Sequence, residues 1–154
     1  MTNTFNFNEL SIIVLVYNES KSIDKDINNL KKHILDRLEK SELIIVEDHS
    51  KDDTFEILKK YHENVKVEII RGKQRLGYKQ SLIEGLKKAK YKNIFFTESG
   101  CKYDFSEFIN FSKNYNSNKI FSGFRSPRYD GLNRKILTYG LNFFIRIFFK
   151  FKIF

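Results

Sequence analysis

Residues 10–19 read LSIIVLVYNE, an almost wholly apolar run that ends abruptly in the polar trio Tyr17-Asn18-Glu19. A short, continuous apolar run rich in Ile and Val is typical of a strand that is buried on both faces of a sheet. Similar runs lie further along the chain, at residues 42–46, 65–70, 93–97 and 119–124. The sequence therefore predicts five strands, of which residues 10–16 form the first.

Helical periodicity fills the segments between these runs. One face of residues 22–38 carries apolar side chains at helical spacing, and residues 53–61, 77–89 and 105–114 show similar patterns. The start signals agree, since Ser50 or Asp52 can cap the second helix and Asp104 followed by Glu107 resembles a capping box for the fourth. Strands that alternate with helices predict an α/β fold, a three-layer sandwich around a mostly parallel sheet.

Length and composition are those of a single globular domain over residues 1–154. The chain has 154 residues, of which 41% are hydrophobic, which is enough for one core and too few for two ordinary domains. One cysteine excludes a disulfide scaffold and a Cys-rich zinc module, and the three histidines lack metal-ligand spacing. The apolar run at the N-terminus is too short for a secretory signal, so a reducing, cytoplasmic location is expected.

Positive charge is concentrated toward the C-terminus. The formal net charge is +9, and residues 119–154 contain eight basic side chains against the single acid Asp130. Such an asymmetry indicates a polyanionic partner, which could be phosphate groups, an acidic membrane surface or a nucleic acid. A general solubilising surface charge is the alternative.

Polar residues follow each of the first four predicted strands. They read Tyr17-Asn18-Glu19, Glu47-Asp48-His49-Ser50, Arg71-Gly72-Lys73-Gln74-Arg75 and Glu98-Ser99-Gly100-Cys101-Lys102-Tyr103-Asp104. In open α/β sheets, ligands bind outside the carboxyl ends of the strands. We therefore expect these four loops to meet in one pocket for a polar, anionic ligand.

The motifs in these loops resemble those of family 2 glycosyltransferases with a GT-A (Rossmann-like) fold. Four segments carry the resemblance in the order that the family has them, namely 11–19, 46–54, 75–82 with Gly85 behind, and 121–125. They are similar in particular to the branch of dolichyl-phosphate mannose synthase and the bacterial polyprenyl-phosphate glycosyltransferases. The resemblance implies a UDP- or GDP-linked nucleotide sugar as the donor.

The resemblance also implies which residues bind that donor: Tyr17, Asn18, Glu19, Asp48, Lys79 and Arg125. Asp48 can accept N–H groups of the base, or it can cap the next helix. Tyr17 can stack on the base or fill the sheet edge. Arg125, with Lys79 and Arg75, can supply charge for a diphosphate, although Lys79 also fits a solvated surface position.

The loop after the fourth predicted strand departs from the family pattern. Relatives have Asp-x-Asp there, which serves a Mg²⁺ or Mn²⁺ ion, whereas this chain has Glu98-Ser99-Gly100 followed by Lys102. Losing one carboxylate and gaining an ammonium group should weaken a divalent site, so Glu98 and Asp104 would form a weak or absent metal site. In one hypothesis Lys102 and Arg125 take over part of the cation's task, with Glu98 and Asp104 as further catalytic residues. In the other, the chain is a catalytically impaired relative that still binds the nucleotide.

Residues 132–154 have the pattern of a basic amphipathic helix, rich in Phe and interrupted by Arg146, Lys150 and Lys152. Such a helix can lie at a membrane interface near lipid phosphates, or it can pack on the domain or a partner. The family continues into an acceptor loop whose Asp often acts as a base, and this sequence ends at Phe154 without it. A lipid phosphate is already largely ionised at neutral pH because its second pKa is about 6, so a polyprenyl phosphate acceptor needs positioning more than a base.

Two other classes of function fit less well. Acidic strand ends would repel a nucleic acid, so none is expected as a partner. No Gly-x-Gly-x-x-Gly follows the first strand, which argues against a nicotinamide-dependent enzyme. The expected function is transfer of a sugar to a polyprenyl phosphate at the inner face of the membrane, and the alternative is an impaired or truncated nucleotide-sugar-binding module.

Overall fold

The computed structural model describes residues 5–100, 103–116, 139, 140 and 143. The backbone divides into two compact units, Met1–Lys119 and Ile120–Phe154. In the second unit the described residues are helical, and the side chains of Tyr139 and Phe143 are exposed. The predicted strand at 119–124 lies outside the described residues, as does almost all of the predicted helix at 132–154. The single-domain interpretation stays a prediction.

The first unit is built on a parallel sheet of four strands. The strands are β1 (Glu9–Val16), β2 (Lys40–Glu47), β3 (Val67–Arg71) and β4 (Ile94–Glu98). Their order across the sheet is β3-β2-β1-β4, and each neighbouring pair is parallel. The predicted parallel sheet is confirmed, with strand ends that differ by one or two residues.

Within residues 5–100 and 103–116, four α-helices connect or follow the strands. They are α1 (Ile23–His33), α2 (Thr54–Lys59), α3 (Tyr78–Lys88) and α4 (Phe108–Lys113). The first predicted helix ends early because the backbone leaves the helical region at Ile34 and continues as a 3-10 turn over Leu35–Arg37. Leu38 still faces the core, which is why the apolar spacing extends beyond the α-helix.

Helices cover both faces of the sheet. On one face, Ile12, Val14 and Val16 pack in a cluster with the buried residues of α1 and with Phe108 of α4. On the other face, alternate strand residues such as Ile13 and their neighbours in β2 pack against α3. Because β1 and β2 are buried on both faces, their sequences read as continuous apolar runs. The predicted three-layer α/β sandwich is confirmed.

At two of the predicted helix starts, an Asp side chain accepts a backbone N–H. Asp104 Oδ1 accepts the backbone N–H of Ser106 at 2.9 Å, at the start of a 3-10 turn that leads into α4. Asp52 Oδ1 accepts the N–H of Thr54 at 3.1 Å, at the start of α2. Neither residue predicted to cap α2 is its N-cap, which is Asp53; Asp52, one residue earlier, accepts the N–H of Thr54, and Ser50 Oγ accepts that of Asn18.

Helix α3 lies very close to the sheet at Gly85. A Cβ atom on this glycine would come within 2.6 Å of Ile13 Cγ2 and 3.2 Å of Val46 Cγ2. No side chain fits in that space, so glycine permits the close approach of α3 to β1 and β2.

The strand order fixes where a ligand can bind. From β1 the chain builds outward to β2 and β3, and then returns to place β4 on the opposite side of β1. The carboxyl ends of β1 and β4 therefore form the topological switch point, where the loops diverge and leave a crevice.

Candidate functional site

A cleft of about 200 Å³ opens at this switch point. It is lined by Leu15, Val16, Tyr17, Glu19, Asp48, Arg75, Tyr78, Ser81, Glu98 and Ser99. Five of the residues predicted from the sequence thus meet there: Tyr17 and Glu19 after β1, Asp48 after β2, Arg75 after β3, and Glu98 at the end of β4. The remaining predicted residues lie elsewhere or outside the described part of the chain.

Asp48 joins the end of β2 to the start of α3. Its side chain is almost fully buried, and Oδ1 accepts the backbone N–H of Leu76 at 2.5 Å while Oδ2 accepts that of Gly77 at 3.0 Å. Gly77 is the N-cap residue of α3, so Asp48 stabilises the start of that helix rather than α2. A carboxylate has about four acceptor positions, so Asp48 retains capacity for a ligand N–H in the cleft.

Tyr17 and Arg75 form a stacked pair at the mouth of the cleft. The Arg75 guanidinium carbon lies 3.9 Å from the centre of the Tyr17 ring, and Nε lies 3.7 Å from Asp48 Oδ2. Stacking on the ring and attraction to the carboxylate both orient a side chain that is otherwise 60% exposed. Arg75 therefore presents N–H donors next to an aromatic face.

Asn18 ties the loop after β1 to the loop after β2. Its backbone has a positive φ of 54°, its N–H donates to Ser50 Oγ, and its Oδ1 accepts the N–H of Lys51, both at 2.9 Å. Asparagine tolerates this left-handed conformation better than most residues. Asn18 was predicted to contact the donor, but the structure uses its side chain to position the loop, and it does not line the cleft.

A second set of hydrogen bonds joins the same two loops. The N–H of Glu19 donates to Thr54 Oγ1 at 2.8 Å, and that of Ser20 donates to Asp52 Oδ2 at 3.1 Å. Asp52 also accepts the Thr54 hydroxyl at 2.5 Å. Chiefly because of the bond from Thr54, the pKa of Asp52 falls from the ordinary 3.8 to about 2.

An ion pair between the buried Glu47 and the partly exposed Arg71 supports the loop after β2. Glu47 is fully buried, and its Oε2 lies 2.8 Å from Arg71 Nε at the paired end of β3. Its Oε1 accepts the N–H of Ser50 at 2.5 Å. The Arg71 guanidinium also stacks on Phe55 at 4.0 Å, which covers the pair.

The space beside Gly100, which was predicted to stand at the second Asp of the family motif, is filled by the side chain of Glu19. Gly100 has a positive φ of 72°, and its N–H donates to Asp26 Oδ2 at 2.7 Å. A Cβ here would come within 2.5 Å of all three carboxylate atoms of Glu19. Glu19, whose Oε2 also accepts the Ser22 hydroxyl, therefore occupies the space that a side chain at position 100 would need.

The described residues do not by themselves make a divalent-cation site. Among them, no three His, Cys, Asp or Glu side chains converge closely enough to hold a metal ion. Glu98 and Glu19 line the cleft, whereas Asp104 caps the 3-10 turn before α4, where hydrogen bonds from Ser106 lower its pKa. The predicted pair of Glu98 and Asp104 is thus not brought together in the cleft.

The predicted cationic residues have different outcomes. Lys79 is exposed on α3 and is not among the residues that line the cleft. Lys102 and Arg125 lie outside the described residues, so their roles stay predictions.

Sequence reasoning gave no role to three residues that line the cleft: Tyr78, Ser81 and Ser99. Ser81 is 1% exposed, and its hydroxyl has no hydrogen-bond partner among the residues that the structure describes. An unpaired buried hydroxyl costs about 1–3 kcal/mol. A signal was present, because Ser81 and Gly85 are small residues one helical turn apart and so share the face that approaches the sheet.

Comparison with known proteins identifies the family. Residues 11–150 match the model of "Glycosyl transferase family 2". The UDP-N-acetylglucosamine--dolichyl-phosphate N-acetylglucosaminyltransferase of Methanococcus voltae is 37% identical over 91 residues, which are 51% of this chain and 34% of that protein. The poly-beta-1,6-N-acetyl-D-glucosamine synthase of Staphylococcus aureus is 29% identical over 85 residues, which are 55% of this chain and 20% of that protein.

Solved structures agree on the fold. Staphylococcus aureus TarS residues 1–349, in complex with UDP-GlcNAc, superpose with a TM-score of 0.52 and 26% identity, over 58% of this chain and 26% of that one. The mannosyltransferase PcManGT of Pyrobaculum calidifontis has a TM-score of 0.53 at 20% identity, over 60% of this chain and 28% of that one. This chain spans about a third or less of the length of the relatives named above. Because the family model covers nearly all of its residues, the chain belongs to glycosyl transferase family 2.

Proposed function

We propose that this chain transfers a hexose from a nucleotide-diphosphate sugar to a polyprenyl phosphate at the membrane surface. The observation that carries the proposal is the cleft at the switch point, where Tyr17, Arg75 and Asp48 meet. An aromatic face, a guanidinium and a carboxylate acceptor provide the chemistry that binds a base and its phosphates.

The donor proposal assigns a role to each side of the cleft. The base would bind near Tyr17 and donate N–H groups to Asp48, while Arg75 would face the diphosphate. A UDP-linked sugar is favoured over a GDP-linked one because the Methanococcus relative is named for UDP-N-acetylglucosamine and the TarS neighbour was solved with UDP-GlcNAc. Glu19 and Glu98 line the remaining wall, and their carboxylates can accept hydroxyl groups of a sugar.

The acceptor proposal depends on charge and on one relative. Residues 119–154 are strongly basic, and the described aromatic side chains among them, Tyr139 and Phe143, are exposed. Basic and aromatic residues together suit an interface that contains lipid phosphates. The Methanococcus relative is named for a dolichyl-phosphate acceptor. Peripheral contact at the cytoplasmic face is therefore part of the proposal.

No helix among the described residues has the length and apolarity that crossing a bilayer requires.

Catalysis is proposed to depend less on a divalent cation than the family pattern implies. Gly100 removes one carboxylate, and Lys102 adds an ammonium group in the same loop. Lys102 and Arg125 would neutralise the departing diphosphate, with Glu98 on the cleft wall facing the sugar. Full transfer activity in excess chelator, together with its loss in Lys102→Ala, is the expected result. Abolition of wild-type activity by the chelator would refute this part.

The decisive experiment separates binding from transfer. Isothermal titration of the full chain with UDP, GDP and their sugars, each with and without Mn²⁺, is expected to show binding of a uridine nucleotide. Incubation with radiolabelled UDP-GlcNAc and a polyprenyl phosphate is expected to give a labelled lipid product. Binding without transfer to any lipid or sugar acceptor would identify an impaired nucleotide-sugar-binding module. Binding of no nucleotide would overturn both interpretations.

A further inference from the structure

We infer that Ser81 hydrogen-bonds the ribose of the donor nucleotide, and this inference rests on the proposed function. Ser81 lies in the second turn of α3, on the face that approaches the sheet, and it lines the cleft. In the described part of the chain, its Oγ is the one buried side-chain oxygen that has neither a hydrogen bond nor an ion pair. The other buried oxygen without a hydrogen bond, Oε2 of Glu47, is paired with Arg71.

Packing alone does not require a hydroxyl at this position. The next turn of α3 approaches the sheet at Gly85, and the side chains around this glycine are aliphatic. An alanine would fill the same space without leaving a polar atom unpaired. A helical serine often donates to the carbonyl four residues earlier, yet the Gly77 carbonyl accepts the N–H of Ser81 and not its hydroxyl. The hydroxyl therefore lacks a partner among the described residues, and because it is almost fully buried, a group that enters the cleft would reach it through a change of the Ser81 rotamer.

The charges around Ser81 indicate which part of the nucleotide it meets. The cleft that Ser81 lines also contains the carboxylates of Asp48, which follows β2, and of Glu98, at the end of β4. Two carboxylates repel a diphosphate but accept the hydroxyl groups of a neutral sugar ring. With the base assigned to Tyr17 and Asp48, the next part of the nucleotide is the ribose. Its 2′- and 3′-hydroxyl groups can both donate to and accept from Ser81 Oγ.

The experiment compares Ser81→Ala with the wild-type full chain by calorimetric titration. UDP and its 2′-deoxy and 3′-deoxy analogues are the probes, or the corresponding guanosine nucleotides if the wild type binds GDP instead. The variant is expected to bind the parent nucleotide about tenfold more weakly, and this loss should disappear with one of the two deoxy analogues. Equal affinity of variant and wild type, or a loss that persists with both analogues, would overturn the inference.

Stability measurements exclude a merely structural role. The unliganded Ser81→Ala variant is expected to unfold at the same denaturant concentration as the wild type or a higher one, because it loses only an unpaired group. Ser112→Ala is the matched control, since Ser112 is also a buried helical serine but its Oγ donates to the Ile109 carbonyl at 2.7 Å. This control should lose stability and keep its affinity. A wild type that binds neither UDP nor GDP would refute the proposed function itself.

Discussion

At the residue scale, Asp48 contributes both to folding and to the proposed binding site. Its carboxylate accepts the N–H groups of Leu76 and Gly77 and also lines the cleft. Asp48 therefore stabilises the start of α3, whose residues Tyr78 and Ser81 line the cleft. The same side chain would contact the base. Loss of this side chain should affect stability as well as nucleotide affinity.

Asp48→Ala is expected to lower the free energy of unfolding by about 2 kcal/mol, because two N–H groups lose a charged acceptor. Asp48→Asn should lose less stability, since the amide oxygen still accepts, but it should weaken nucleotide binding because it brings two N–H donors into the cleft. Urea titration and calorimetry measure the two effects. Asp53→Ala is the control, because Asp53 is exposed and, although it is the N-cap residue of α2, its side chain makes no capping hydrogen bond. Equal stability of Asp48→Ala and this control would contradict the assignment.

Gly100 is the residue predicted from the sequence to stand where the family motif has its second Asp. Restoring an acid there by Gly100→Asp is expected to destabilise the fold by about 2 kcal/mol, since the backbone is left-handed and the new side chain meets Glu19. The variant should gain no Mn²⁺ affinity, measured by titration with the metal alone.

A double-mutant cycle tests the cause of that destabilisation. Gly100→Ala should cost less stability in a Glu19→Ala background than in the wild type, because the contact with the carboxylate is then absent. Identical costs in the two backgrounds would show that backbone strain alone is responsible.

At the element scale, the loops after β1 and β2 and the end of β3 form one connected support for the cleft. Asn18 and Asp52 hold the first two loops together, and the ion pair of Glu47 and Arg71 joins β2 to β3. The proposed binding residues are thereby placed on loops that hydrogen bonds restrain. Two predictions concern this support.

Arg71→Met is expected to cost about 3 kcal/mol of stability, because it leaves the Glu47 carboxylate buried without its cation. The double variant Glu47→Gln with Arg71→Met should recover most of that loss, since the amide oxygen can still accept the N–H of Ser50. Guanidinium chloride unfolding measures both. A double variant as unstable as the sum of the single changes would show that the two side chains act independently.

The low pKa of Asp52 predicts how the fold responds to acid. A carboxyl with a pKa of about 2 in the folded state and an ordinary value of 3.8 contributes stability that is fully present above the ordinary value and is lost as the pH falls toward 2. The difference in unfolding free energy between wild type and Asp52→Asn should therefore be constant near neutral pH and shrink below about pH 4. Asp53→Asn serves as the control. A difference that does not change with pH would refute the role of the Asp52 charge.

The strands and helices were predictable because each has a strong local pattern, a continuous apolar run or apolar residues at helical spacing. Tyr17, Asp48 and Glu98 were predictable as site residues because they lie at or just after the ends of strands. Side-chain partners were less predictable. Nothing local distinguishes Asn18, which bonds a backbone N–H of another loop, from a residue that faces the ligand. Arg75 was assigned to the diphosphate, but its stacking on Tyr17 depends on two loops that are far apart in sequence. Ser81 could only be recognised once its surroundings were known.

At the scale of the whole molecule, the sheet and most of the net positive charge belong to different parts of the sequence. The first unit, Met1–Lys119, contains the sheet and the cleft, while most of the net positive charge belongs to the residues that follow. Family membership holds for both, since the family match extends to residue 150.

The basic side chains of residues 119–154 predict that the chain associates with anionic vesicles. The full chain should float with liposomes that contain phosphatidylglycerol and much less with neutral phosphatidylcholine liposomes, and binding should fall as salt is raised, because screening shortens the reach of the charges. Replacing Arg146, Lys150 and Lys152 with Gln should abolish flotation, and Lys59, Lys60 and Lys87, exposed on or beside α2 and α3, provide a matched triple control. Failure to float with either lipid would count against the membrane proposal.

Because residue 85 is glycine, α3 can lie close to the sheet beside the cleft. Because α3 can approach Ile13 so closely at this position, the preceding turn of the helix places Ser81 in the lining of the cleft. A methyl group at position 85 would push α3 away from the sheet and would therefore displace Ser81. The position of Ser81 in the lining of the cleft thus depends partly on the lack of a side chain at Gly85, about two helical turns from where α3 begins.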